Sequence, residues 1–106
     1  MTISVTEIER LLNIDTRVSV YGTGYVDIDG VDYYDENNNM TTVYGYIEME
    51  PFIMYLEDNS GSQLLKDIDS TLSHYTDESD ENKLDAIIDL APQMFDDGVL
   101  GVFLEI

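Results

Sequence analysis

The chain has 106 residues, no cysteine, and 23 Asp and Glu against 4 Lys and Arg, for a formal net charge of −19. With 43% hydrophobic residues it is too apolar for intrinsic disorder and long enough for one hydrophobic core, so a single folded domain over residues 1–106 is expected. The missing cysteines exclude a disulfide framework and a thiolate metal site, and a surface this acidic repels both nucleic acid and anionic lipid.

The first element is signalled by Ser4-Val5-Thr6-Glu7, which fits a capping box. Val5, Ile8, Leu11 and Leu12 follow at helical spacing and predict an amphipathic helix from about Val5 to Asn13. Acids interrupt this apolar pattern and no basic segment precedes it, so it is not a signal peptide. No apolar run approaches the roughly 20 residues that span a bilayer. A cytoplasmic protein without a membrane partner is expected.

Arg17-Val18-Ser19-Val20-Tyr21 alternates and reads as a strand, with Gly22-Thr23-Gly24 as a turn or bulge. Residues 25–34 read as a β-hairpin turning at Asp29-Gly30. That register sets Asp27 opposite Asp32, an unfavourable pairing of like charges. Residues 35–39 are a polar loop, and Met40 to Glu50 is the next strand, interrupted by Pro51 because proline cannot donate to a ladder. Phe52 to Leu56 reads as a further strand or as a continuation past a bend, and residues 57–61 as a turn.

Helices are expected over about Ser62 to Tyr75, with Leu64, Leu65, Ile68 and Leu72 inward, and over about Asp80 to Leu90, with Leu84, Ile87 and Ile88 inward. Pro92 and Asp97-Gly98 end the helical region, and the apolar run from Val99 to Ile106 reads as a central strand. The fold class is α+β: an antiparallel sheet of about four to five strands with about three short helices.

Motifs for chemistry are missing. Asp27-Ile-Asp-Gly-Val-Asp32 looks like a calcium loop, but Gly30 falls at position 4 counted from Asp27 and position 12 is Asn38, whereas an EF-hand needs Gly at 6 and Glu at 12. His74 is the only histidine and has no recognisable nucleophilic partner. There is no phosphate loop, dinucleotide fingerprint or HExxH. With 23 acids, neighbouring carboxylates arise by chance. No enzyme activity, cofactor or metal is expected.

The informative feature is a face. Val26, Ile28, Val31 and Tyr33 share one side of the predicted hairpin, and Val43, Ile47 and Met49 one side of the next strand; these look like core. The opposite side carries Tyr25, Asp27, Asp32 and Tyr34, then Tyr44, Tyr46, Glu48 and Glu50, with no lysine or arginine among them. Residues two apart on a strand lie about 7 Å apart, close to the separation of successive phosphates along a nucleic-acid strand, and Glu48 and Glu50 fall at that interval. Tyrosine is enriched at binding interfaces. A second acidic patch comprises Asp77, Glu78, Asp80, Glu81, Asp85 and Asp89, in which Glu81, Asp85 and Asp89 repeat every four residues, about 6 Å along a helix. Like charges at that spacing cost helix stability. The bland reading of the sheet face is that antiparallel sheets often leave one side wet. Adaptation to high salt fits poorly with 8 Tyr, many Asn and Ile, and few Ala.

In charge, size and lack of motifs the chain resembles the acidic DNA-mimic inhibitors of phages and mobile elements, including anti-CRISPR and anti-restriction proteins and inhibitors of uracil-DNA glycosylase. The resemblance lies in composition and surface pattern. It implies a phage protein that acts in the cytoplasm of an infected or carrier bacterial cell and occupies the DNA-binding groove of a basic nucleic-acid-binding protein. A Cas effector is the leading target and a restriction enzyme the next. An immunity protein against a basic nuclease toxin is the alternative, distinguished by a toxin gene immediately upstream. A calcium-binding module and a homodimer formed through tyrosine-rich edge strands are also open.

Overall fold

The computed structural model describes residues 4–59 and 62–105. Its elements in order are α1 (Val5–Leu12), β1 (Arg17–Val18), β2 (Gly24–Tyr34), β3 (Met40–Glu48), α2 (Met49–Asp58), α3 (Gln63–Ser73), α4 (Asp80–Ile88), α5 (Ala91–Asp96) and β4 (Val102–Glu105). The strands form one antiparallel sheet in the order β1-β2-β3-β4. The α+β class is therefore as expected, with four strands and five helices among the described residues. Of the expected turn at 57–61, Ser60 and Gly61 lie outside the described residues, as does Ile106 of the expected last strand.

Serine starts three of the helices. Ser4 accepts from the Glu7 amide, Ser62 from Leu65 and Ser79 from Asn82, each satisfying one of the orphan donors of a first turn. The reciprocal half of the expected capping box is not made. The Glu7 carboxylate turns instead to Arg10, which also reaches Asp80 at 2.9 Å and so ties α1 to the start of α4. Hydrogen bonds from Arg10 hold the Glu7 and Asp80 carboxyls below their ordinary range.

Two helices differ from expectation, and both contain proline. Residues 52–56 are not a strand: Met49, Phe52, Ile53 and Leu56 form the buried stripe of α2, with Pro51 in its first turn. Pro92 does not end the helical region but sits in the first turn of α5. A first-turn amide has no intrahelical acceptor, so proline is tolerated there although it breaks helix interiors. Residues 57 and 58 accordingly belong to α2 and not to a turn, and β3 stops at Glu48.

The predicted hairpin is also replaced. β2 runs unbroken through Asp29 and Gly30 and pairs along its length with β3, from Tyr25 opposite Glu48 to Tyr34 opposite Met40. Gly30, at φ 76°, supplies a bulge where the register shifts between Asp29 and Val31. The connection is the polar loop: the Asp35 carboxylate accepts from the Asn37 and Asn39 amides, each at 2.9 Å, and Asn38 takes a left-handed conformation. Asp27 thus faces Tyr46 and Asp32 faces Thr42, so the like-charge pair does not form. A bulge and a two-residue turn both leave Ile28 and Val31 on the same side. The inward residues are therefore those expected: Val26, Ile28, Val43 and Ile47 are buried, and Val31 and Tyr33 half-buried.

β1 is shorter than expected, because Ser19 to Thr23 close a hydrogen-bonded turn instead of extending the strand. β4 pairs only with β3 and is an edge strand, not a central one. The core is one cluster between the sheet and the helices, with Ile8, Phe52, Ile68 and Ile87 fully enclosed. It contains no buried charged or polar residue among the described ones. All 23 acids therefore remain at least partly in water.

Candidate functional site

With the apolar side chains of β2 and β3 turned toward the helices, the alternate residues of the sheet form its open face. The register orders them in rows across the strands. Arg17, Tyr25 and Glu48 make the first row; Asp27, Tyr46 and Phe103 the second; Asp29, Tyr44 and Glu105 the third. Asp32 with Thr42, and Tyr34 with Met40, continue the face toward the hairpin loop. Each of the three rows thus sets at least one carboxylate beside an aromatic ring, and the third, Asp29, Tyr44 and Glu105, alternates across all three strands. Tyr25 meets Tyr46 edge-on at 6.2 Å between ring centres, and Tyr46 stacks on Phe103 at 5.1 Å. Such aromatic pairs add about 0.5–1.5 kcal/mol beyond area burial, so this diagonal is a stiff ridge.

A depression of about 630 Å³ opens beside the ridge, lined by Asp15, Arg17, Asp27, Asp29, Tyr44, Tyr46 and Glu105 together with the backbone at Ile28 and Gly45. A smaller one of about 350 Å³ lies on the other side, between Tyr25, Tyr46, Glu48 and the turn that carries Val20 and Tyr21. Both tip side chains are at least nine-tenths exposed. The tip is held by Ser19, whose hydroxyl accepts from the Tyr21 and Thr23 amides and shares a 2.6 Å hydrogen bond with the Thr23 hydroxyl.

Seven of the candidate residues from the strands lie on this face: Tyr25, Asp27, Asp32, Tyr34, Tyr44, Tyr46 and Glu48. Glu50 does not. It sits in the first turn of α2, where an acid is favoured by the helix dipole, so the expected strand spacing between Glu48 and Glu50 is not realised. The face is not free of cations either, because Arg17 reaches Asp27 at 3.3 Å. Asp29, Phe103 and Glu105 belong to the face and were not among the candidates. The sequence pattern places Asp29 in a turn, and Phe103 and Glu105 in a strand buried on both sides. The exposed Glu at the end of an otherwise apolar run was the one available signal for β4 as an edge.

The second patch occupies α4 and the loop before it, with three different environments. Asp80 is paired with Arg10, and Glu78 accepts from the Asn82 side chain at 2.8 Å. Asp77, Glu81, Asp85 and Asp89 are exposed. The row Glu81, Asp85, Asp89 leads toward the sheet. Partial burial, then the Asp85 carboxylate, then that of Asp32 push the Asp89 carboxyl above its ordinary range. Asp32 is itself on the open face, where it accepts from the Thr42 hydroxyl at 3.2 Å. The two patches therefore approach each other at Asp32 and Asp89.

The raised carboxyl gives a stability prediction. A carboxyl harder to ionise in the folded than in the unfolded chain favours folding when protonated, and stability falls as pH rises from the unfolded value through the raised folded one. Asp89→Asn removes the like-charge pair with Asp85 and should stabilise the protein by about 0.2–0.5 kcal/mol at neutral pH. The gain should disappear below the ordinary aspartate range. Urea unfolding of both proteins from pH 3 to pH 7 reads this directly; an equal difference at every pH would remove the electrostatic cause.

Among the described residues no group of three or more His, Cys, Asp or Glu is arranged to hold a metal ion. His74 is an exposed C-cap of α3. No described helix is long and apolar enough to cross a membrane. In comparisons with protein-family models, curated proteins and solved structures, the chain matches none.

Proposed function

We propose that the chain is a stoichiometric inhibitor that presents its open sheet face to the DNA-binding groove of a basic nucleic-acid-binding protein, imitating the phosphate backbone. One observation carries the reading: a whole face of the sheet is left uncovered by helices and set with carboxylates beside aromatic rings, Arg17 being the single cation in its rows. Asp27 and Asp29 are spaced about 7 Å along β2, and Asp29 and Glu105 flank Tyr44 two strand spacings apart, roughly 10 Å. A groove built for phosphates offers lysine and arginine at comparable intervals. The net charge of −19 steers encounter, and the aromatic ridge supplies the contact area that slows release. The acid row of α4 extends the same potential from the edge of the face. The resemblance in composition to anti-CRISPR and anti-restriction proteins puts a Cas effector first among targets.

The test is capture with the tagged chain, with elution by a short DNA duplex at constant salt. The expected result is one basic nucleic-acid-binding protein or complex, released by duplex and inhibited at equimolar ratio. A tightly held partner that duplex does not displace would overturn the mimicry and point to an immunity protein or to inhibition away from the groove. Recovery of only a diffuse mixture of basic proteins, with no single partner among them, would overturn it as well.

A further inference from the structure

We infer that the open face selects arginine over lysine on its partner, each guanidinium lying on a tyrosine ring while donating to the carboxylate across the strand; the inference rests on the mimicry reading for the partner's identity. Its centre is Tyr44. That residue is 51% exposed and has Asp29 as its cross-strand neighbour on β2 and Glu105 on β4. Neighbouring strands are about 4.8 Å apart, so a carboxylate stands on each side of the ring within reach of any group placed over it. All three residues line the larger depression, which is wide enough for side chains to enter. Among the described residues neither Asp29 nor Glu105 is ion-paired within the chain.

The chemistry separates the two basic side chains. The negative face of a phenol ring attracts a cation. A guanidinium is planar and weakly hydrated, so it stacks on the ring and keeps its edge donors for a carboxylate beside it. An ammonium is a compact, strongly hydrated charge that satisfies the carboxylate or the ring, and loses more hydration in doing so. The face already holds one guanidinium on a carboxylate. Arg17 lies opposite Tyr25 in the register and pairs with Asp27 on the next row, at the rim of the same depression. The Asp27 carboxylate thus holds the chain's own guanidinium, and the unit at Tyr44, with two carboxylates, is open to a partner's.

The probes are two blocked peptides, one alternating arginine and glycine and one alternating lysine and glycine, with equal length and charge. Each is titrated calorimetrically into the full chain at physiological ionic strength, and amide chemical shifts are followed in parallel. The arginine peptide should bind about fivefold more tightly, with the largest shifts at Tyr44 and Glu105. Tyr44→Leu should bring the ratio to about one while the lysine peptide's Kd stays within roughly twofold, because only the ring contribution is lost. Tyr44→Phe keeps the ring and should keep the preference. Equal affinity for the two peptides in the unaltered chain would overturn the inference, as would a preference that survives Tyr44→Leu or disappears in Tyr44→Phe. These outcomes leave the mimicry reading standing, and a partner that duplex fails to displace sinks the mimicry while leaving the arginine preference measurable.

Discussion

Replacing Asp29 and Glu105 together by lysine is expected to weaken binding to the captured partner by about 100-fold or more, since each reversal turns a complementary charge at the interface into a repulsive one. The fold should survive. Both side chains are exposed, neither is paired with a cation among the described residues, and the double substitution moves the net charge from −19 toward neutrality, which relieves self-repulsion. Thermal unfolding should therefore be unchanged or slightly improved. The loss should appear in the association rate and in a shallower dependence of affinity on salt, as expected when charge pairs to a cationic groove are removed. A control reversal at Glu57 and Asp58, which are exposed at the end of α2, should cost far less. If both double variants lose affinity equally, net charge and not the sheet face determines binding. If neither does, the site lies elsewhere.

Alanine at position 101 should cost the fold about 2–5 kcal/mol, from about 1–2 for a side chain in left-handed backbone and about 1–3 for overpacking. Gly101 precedes β4 at φ 88°. A Cβ there would stand 2.6 Å from the Phe52 amide nitrogen and 2.9 Å from the Glu48 carbonyl oxygen, both backbone atoms that cannot swing aside. Its carbonyl oxygen accepts from the Glu48 amide at 2.6 Å, at the point where β3 passes into α2. The glycine therefore lets the return strand press against the junction that carries Phe52 into the core. Gly98→Ala separates the two causes. Gly98 has φ 75° but nothing within 4 Å of an added Cβ, so only the backbone component, about 1–2 kcal/mol, should be lost. Urea midpoints of the two variants, compared with the unaltered chain, measure both. Equal losses would mean that the contact at the junction relaxes freely.

The same contrast between local and distant causes explains which parts of the chain could be read in advance. Helices α1, α3 and α4 each combine a serine cap with an apolar stripe, and all the information lies within about a dozen residues. The stripe of α2, Met49, Phe52, Ile53 and Leu56, has helical spacing too, but Pro51 after the alternating run of β3 reads as a break in a strand and not as a first-turn residue. Pro92 hides α5 in the same way. The face of the sheet was legible because alternation survives either treatment of Gly30: a turn and a bulge give the same parity. Asp29 and Glu105 were missed because membership of the face depends on which strand lies next to which.

Sequence alone therefore determined the class of fold, helices α1, α3 and α4 with the serine cap of the first, the inward residues of β2 and β3, and a surface of tyrosine and carboxylate on their other side. These follow from periodicity and from the balance of 23 acids against 4 basic residues. Only the tertiary structure decided that β2 continues past Asp-Gly to pair with β3 along its whole length, that β4 closes the sheet as an edge, that Arg17 meets Asp27, and that Asp89 approaches Asp32. Each of these depends on which elements come to lie side by side, and not on the pattern within one element. Competing local signals, a two-residue turn against a longer loop, differ by little on their own, and the choice goes to the arrangement that buries the common apolar side against the helices while keeping like charges out of register.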